Sequence, residues 1–356
     1  MKRILSLLVI SLLVIHLDAA AQNRSITFIE KPWSEILAMA KEQDRMIFLD
    51  GFATWCGPCK WMAANMFTRD SVADYYNKTF ICVHVDMEKG EGPGLANTYQ
   101  VRAYPTLLFI KPDGEMVHKV VGAPQRVRDY LDMGNIALTP GEGYADCVKR
   151  FQEGERAPGF MMKYFSRLQG AYLPVTEPLG QYLATQKEAD LTNRANWNII
   201  NAYLADIDSR EFKYLVNHQK EFSKLYTRDS VNAKISGVFI QAISGLARSR
   251  TFSETQYNDL KQKIRNSGYE QADKVIFAGD LTLFQMKGQT DKFIGLAIDG
   301  TDKYYSDDYG MLNRLAQAFS YITTDKQHLE KAAVWARKSI SLKSTPENND
   351  TYANLM

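Results

Sequence analysis

The segment FATWCGPCKW, residues 52–61, places Cys56 and Cys59 with two residues between them in a 356-residue chain that holds only four cysteines. Two thiols this close can supply half of a metal site, a static disulfide, or a thiol–disulfide exchange centre. A tetrahedral zinc site needs four ligands, and a C-x2-C pair supplies two. There is no second C-x2-C and no H-x3-5-H, and His84, His118, His218 and His328 are scattered. A static disulfide closing so small a loop restricts the unfolded chain little, because loop-closure entropy grows with loop length. Redox exchange fits the neighbours better: the thiolate is the attacking species, and a helix N-terminus stabilises it through unpaired N–H groups and the macrodipole.

The flanking residues are of the kind that would build that position. MIFLDGFAT reads as an apolar strand carrying one acid, Asp50, and CKWMAANMF has helical composition with no breaker. A strand, a tight turn and a helix put Cys56 at the helix N-terminus and Cys59 one turn inside. Gly57 would permit the turn, and Pro58 has no N–H to lose in the first helical turn. The outer thiolate would attack a substrate disulfide, and the inner thiol would resolve the mixed disulfide.

Around this centre, SITFIE reads as a short strand and PWSEILAMAKEQDR as an amphipathic helix opened by Pro32. DSVADYYNK follows as a short helix, TFICVHVDME as a buried strand, KGEGPG as a loop and LANTYQ as a helical turn. TLLFIKPDGEMVHKVVG gives two β runs joined by Pro112-Asp113-Gly114, a hairpin, and APQRVRDYLDMG closes the segment as a helix. The alternation predicts an α/β arrangement around a mixed sheet flanked by helices. From Thr139 onward helical periodicity takes over. SVNAKISGVFIQAISGLARS sets Val231, Ile235, Val238, Phe239, Ala242 and Leu246 on one face, and REFKYLVNHQKEFSKLY and HLEKAAVWARKSISL behave alike. The expected division is a signal segment over 1–21, an α/β domain over 22–138 and an all-α domain of packed helical hairpins over 139–356. The hairpins suggest a tetratricopeptide-like array, although no clean fixed period is visible. TYANLM begins a helix and stops, as if the chain ended inside a repeat.

With these elements placed, DGFATWCGPCK resembles the active-site segment of the thioredoxin family, in which Trp-Cys-Gly-Pro-Cys-Lys follows a strand bearing a buried Asp. AYPTLLF is similar to that family's cis-proline loop, at Pro105, and VVGAP to the glycine-containing edge of its substrate groove, at Gly122. The stretch from Cys59 to Gly92 looks more like exported thioredoxin-like domains of the Dsb reductant relay than like small cytosolic thioredoxins. The resemblance covers about residues 28–133 and implies a thioredoxin fold. It further implies Cys56 as nucleophile, Cys59 as resolving cysteine and Asp50 as the buried group handling the Cys59 proton. Trp55, Gly57, Pro58, Tyr104, Pro105 and Gly122 would form the substrate surface. The redox-active Cys56–Cys59 disulfide would be the reacting group, with no further cofactor and no metal. The chain departs from the pattern on FICVHVDM, where counting back from Asp86 puts Cys82 at the position of the usual lysine. On that count Asp50 loses its cationic neighbour, and Cys82 becomes a candidate third thiol or a small core hydrophobe. Cys147, in YADCVKRF, suggests only filling.

Charge excludes some partners. Forty-three basic against forty-one acidic side chains leave a formal charge of +2, with no electrostatic footprint for nucleic acid. Lys2 and Arg3 precede an apolar run from Ile4 to Leu17 and then Ala19-Ala20-Ala21, which reads as a secretory signal cleaved before Gln22. The alternative, a membrane anchor, fits less well, since about fourteen residues fall short of the roughly twenty that span a bilayer. The sequence thus predicts an exported, periplasmic-type thiol–disulfide oxidoreductase that reduces protein disulfides, is recharged by an upstream thiol reductant, and offers its helices to a protein partner. The alternatives are a helical adaptor with a subsidiary redox domain, and a disulfide isomerase or chaperone.

Overall fold

The computed structural model describes residues 24–356. The segment read as a signal peptide lies outside the described residues. The chain divides into two compact units, one ending at Pro178 and the other beginning at Leu179.

The first unit begins with α1 (Trp33–Gln43), β1 (Ile47–Phe52), α2 (Gly57–Asn65), α3 (Asp70–Thr79), β2 (Ile81–Asp86) and α4 (Gly92–Thr98). β3 (Thr106–Ile110), β4 (Met116–Val121) and α5 (Val127–Leu138) follow. The strands form one mixed sheet in the order β2-β1-β3-β4, with β1 parallel to β2 and antiparallel to β3, as the α/β reading requires. Side chains alternate across a strand, so β1 feeds two cores. Phe48 joins Cys82, Leu107 and Phe109 beneath Met62, Tyr76 and Tyr130, whereas Ile47 and Leu49 join Ile81, Val83, Leu108 and Ile110 against Ile36 and Leu95. The hairpin turns at Gly114, whose φ of 92° is open to glycine.

Three local readings change. SITFIE is not a strand: Ile26 N–H donates to the Phe67 carbonyl and Ile29 N–H to that of Cys82, so the segment divides its bonds between two elements and builds no ladder. The expected KGEGPG loop gives its last residues to α4, because Pro93 is tolerated in a first helical turn and Gly92 lets the chain press on the Asp86 carbonyl. A Cβ at Gly92 would stand 1.9 Å from that oxygen. REFKYLVNHQKEFSKLY breaks in two at His218, whose Nδ1 lies 2.9 Å from the Tyr214 carbonyl oxygen.

Helical texture begins near Thr139, but α6 (Tyr144–Gln152) and α7 (Pro158–Gly170) pack on β4 and belong to the sheet's unit. The approach is close at Gly143, where a Cβ would lie 2.6 Å from the Val117 carbonyl oxygen. The helical chain continues with α8 (Thr176–Ala184), α9 (Arg194–Tyr203), α10 (Arg210–Asn217), α11 (Gln219–Tyr226), α12 (Arg228–Arg248) and α13 (Glu254–Arg265). It ends with α14 (Ala272–Met286), α15 (Thr290–Tyr305), α16 (Tyr309–Ile322), α17 (Lys326–Leu342) and α18 (Pro346–Leu355). Each of α14 to α17 packs on its successor, around Phe277, Phe293, Phe319 and Trp335. No described helix is long and apolar enough to cross a membrane.

Candidate active site

Cys56 is the N-cap of α2, and Pro58 stands in the first turn. The Cys56 N–H donates to the Ala53 carbonyl at 3.0 Å, which closes the turn out of β1. The two cysteines form a disulfide, with Cα atoms 5.3 Å apart. The Cys59 N–H donates to Cys56 Sγ at 3.1 Å, so a helix-end donor already points at the sulfur on which negative charge would develop. Gly57 is not required by the turn: its φ is not left-handed, and a Cβ there would meet nothing within 4 Å. What the missing side chain does is leave the surface beside the sulfurs bare.

The residues expected around the disulfide gather there. Cys56 and Cys59 pack with Ala53, Phe52 and Tyr104, and both are nearly buried in the disulfide form. Trp55 is 67% exposed and stands edge-on to Tyr104, with ring centroids 5.8 Å apart. The Tyr104–Pro105 peptide is cis. Gly122, at φ 102°, donates its N–H to the Pro105 carbonyl at 2.8 Å, so the proline loop and the end of β4 form one edge.

Asp50 lies in the middle of β1, two residues before Phe52, and is 1% exposed. Neither carboxylate oxygen accepts a hydrogen bond, and burial pushes its pKa up to about 8. Its neighbour across the parallel ladder is His84, whose Nε2 stands 3.4 Å from Asp50 Oδ2, close enough to pair but without hydrogen-bond geometry. The usual lysine is absent, as the count to Cys82 implied, but Asp50 does have a titratable neighbour: a histidine two residues further along β2 than the counted position. Period-two alternation puts residues 82 and 84 on one face, so the signal was present, but only the register of β1 on β2 selects between them. His84 stacks on Phe52 at 3.7 Å between centroids and touches Phe28 at 5.2 Å. Burial lowers its pKa, while Asp86 and Glu30 pull it back up.

Cys82 sits in the larger core with Phe48, Tyr76 and Phe80, its sulfur turned toward the Tyr76 and Phe80 carbonyls. Burial pushes that thiol up to about 12, so it stays protonated and packs as a small hydrophobe. Cys147 is buried and free in α6. Among the described residues no three His, Cys, Asp or Glu side chains converge as a metal ion would need.

Comparison with known proteins agrees with this geometry. The Thioredoxin family model matches residues 26–132. Thioredoxin H-type 2 of Nicotiana tabacum is 37% identical over 91 residues, 26% of this chain and 71% of that protein. Thioredoxin H1 of Arabidopsis thaliana is 35% identical over 91 residues, covering 26% of this chain and 74% of the relative. The solution structure of a Bacteroides thetaiotaomicron protein described as a disulphide-isomerase candidate is 42% identical, covering 33% of this chain and 98% of that one, with a TM-score of 0.31. A C-x2-C disulfide at a helix N-terminus, within a segment that matches the Thioredoxin model and is 37% and 35% identical to thioredoxins covered over 71% and 74% of their length, makes this chain a thiol–disulfide oxidoreductase belonging to the thioredoxin family.

Proposed function

We propose that the chain is an exported reductant of protein disulfides, of the kind that works in a Dsb-type relay. The observation that carries the reading is the Cys56–Cys59 disulfide at the N-terminus of α2, bordered by exposed Trp55. In the reduced protein the Cys56 thiolate attacks a client disulfide; a Cys56–client bond forms, and one client sulfur leaves as thiolate. Asp50 takes the proton from Cys59. The Cys59 thiolate then attacks Cys56 Sγ, closes the intramolecular disulfide and releases the second client sulfur. The Cys56–Cys59 pair is itself the redox group, and an upstream thiol reductant reduces its disulfide back to the dithiol. Trp55, Tyr104, Pro105 and Gly122 border the client's path, and the bare surface at Gly57 and Pro58 gives access to the sulfur.

The reductant direction rests on the Gly-Pro pair between the cysteines, and export on the basic, apolar and small-residue succession of residues 2–21. The even starts of α14, α16 and α18, at Ala272, Tyr309 and Pro346, support a repeated helical-hairpin array, a class of fold whose concave surfaces bind protein partners. Insulin reduction coupled to a dithiol donor tests the reading. Wild type should turn over and Cys56→Ser should not, and a redox titration should place the couple near the reducing end, about −270 mV rather than about −120 mV. Turnover unaffected by Cys56→Ser would remove the reading, and an oxidant-like potential would reverse its direction.

A further inference from the structure

Asp50 is sealed from water, so a carboxyl that takes a proton from Cys59 in every cycle must pass it on before the next. From β1 the titratable group that faces the His84 ring is the Asp50 carboxyl, at 3.4 Å. From its own strand Asp86 faces it, and from the segment before α1 Glu30 does. The ring is held between Phe52 and Phe28, yet 34% of the side chain is exposed. The exposed side lines an open cleft of about 330 Å³, which Lys31, Lys89 and Glu91 also line. The imidazole thus has a nitrogen beside the buried acid and a face on that cleft.

We propose that His84 is a proton relay between Asp50 and solvent, acting through Asp50 as a positioning residue for the resolving step. After Cys59 has given its proton to Asp50, the carboxylic acid passes that proton to His84 Nε2. The imidazolium then loses its Nδ1 proton to water in the cleft, and tautomer exchange restores an accepting Nε2. No electrons move in this step. The proton that left Cys59 is balanced by the one the cleft receives. Burial lowers the ring's basicity and keeps it neutral at rest, so its Nε2 lone pair is free to take the proton.

The inference rests on the proposed roles of Cys56, Cys59 and Asp50, and its test separates the two. Release of client from the Cys56 mixed disulfide is timed in the full chain between pH 5 and 9 for wild type, His84→Ala and His84→Gln, with melting temperatures recorded. We expect release at pH 7 to slow by about tenfold or more in both variants. The pH profile should flatten around the histidine range, and added imidazole should restore His84→Ala in proportion to its concentration. Unchanged release and profile in both variants overturns the relay, as does a slow His84→Ala that imidazole leaves slow. If Cys56→Ser reduces insulin as well as wild type does, the site reading itself fails. A dead Cys56→Ser beside normal His84 variants removes only the relay.

Discussion

The Trp55 indole Nε1 donates to Glu88 Oε2 at 3.0 Å, tying the residue before the nucleophile to the loop that follows β2. The same indole meets Tyr104 edge-on, so Glu88 sets the angle at which the largest exposed aromatic of the site faces a client. An exposed hydrogen bond of this kind contributes about 1 kcal/mol, so Glu88→Ala should raise KM for a protein disulfide by about fivefold or less. Turnover of a small aromatic disulfide, which touches little beyond the sulfurs, should stay the same. Equal KM values for insulin would separate the indole from client docking.

Asp50 makes stability depend on pH with a definite sign. Its pKa rises from 3.8 to about 8 on folding, so between those values the native state holds a proton that the unfolded chain has lost. The contribution is fully present below about pH 4 and is lost as pH rises through 8. Asp50→Asn, which keeps the shape of the neutral acid, should therefore match wild type at pH 4. At pH 9 it should be more stable by several kcal/mol, about 6 at most. Urea denaturation of both proteins at the two pH values measures this, and parallel curves would mean Asp50 is solvated.

His118 acts with the opposite slope. It lies on β4 at 2% exposure, stacked on Phe109 with Nδ1 unpartnered, and burial together with the Arg167 charge lowers its pKa from 6.5 to about 3. The unfolded chain binds a proton there below pH 6.5 and the native state does not. The stability it confers is thus full above 6.5 and falls as pH drops toward 3, by about 4 to 5 kcal/mol in the limit. His118→Phe keeps a flat ring and should flatten the acid limb between pH 6 and 4. Because Asp50 gains over much of the window in which His118 loses, wild type alone should show a shallow profile, and only the single substitutions separate the two slopes. An acid limb unchanged in His118→Phe would show that the ring is protonated in the native state.

The parts of this site that were legible in sequence are those encoded locally. WCGPCK places a helix start by composition, Pro105 is named by its own chemistry, and Asp50 is the one acid in an apolar strand. His84 was not legible, because its proximity to Asp50 depends on the register of two parallel strands joined through α2 and α3. Counting back from Asp86 led instead to Cys82, whose sulfur the fold turns toward α3 and its end. SITFIE failed for a related reason: β propensity describes a residue's fit to a pleated surface, and no strand offers that segment a ladder. Where the helical chain starts was visible; which of its helices cover β4 was not, since that is decided by packing at Gly143 and Val117.

That packing leads to a test of how far the redox unit extends. β4 is the edge of the sheet, and α6 and α7 pack against it, with Gly143 close enough to the Val117 backbone that no side chain fits. A chain of residues 22–138 keeps the disulfide, the proline loop and Asp50, but leaves β4 without these helices and opens the surroundings of buried His118. It should therefore melt well below a chain of residues 22–178 and bind a hydrophobic dye that the longer one does not. Gly143→Ala in the full chain should act in the same direction, because its Cβ would stand 2.6 Å from a carbonyl oxygen that cannot swing away. Forced overpacking of this kind costs about 1–3 kcal/mol. Equal melting of the two truncated chains, with Gly143→Ala neutral, would mean that α6 and α7 are passengers on the sheet.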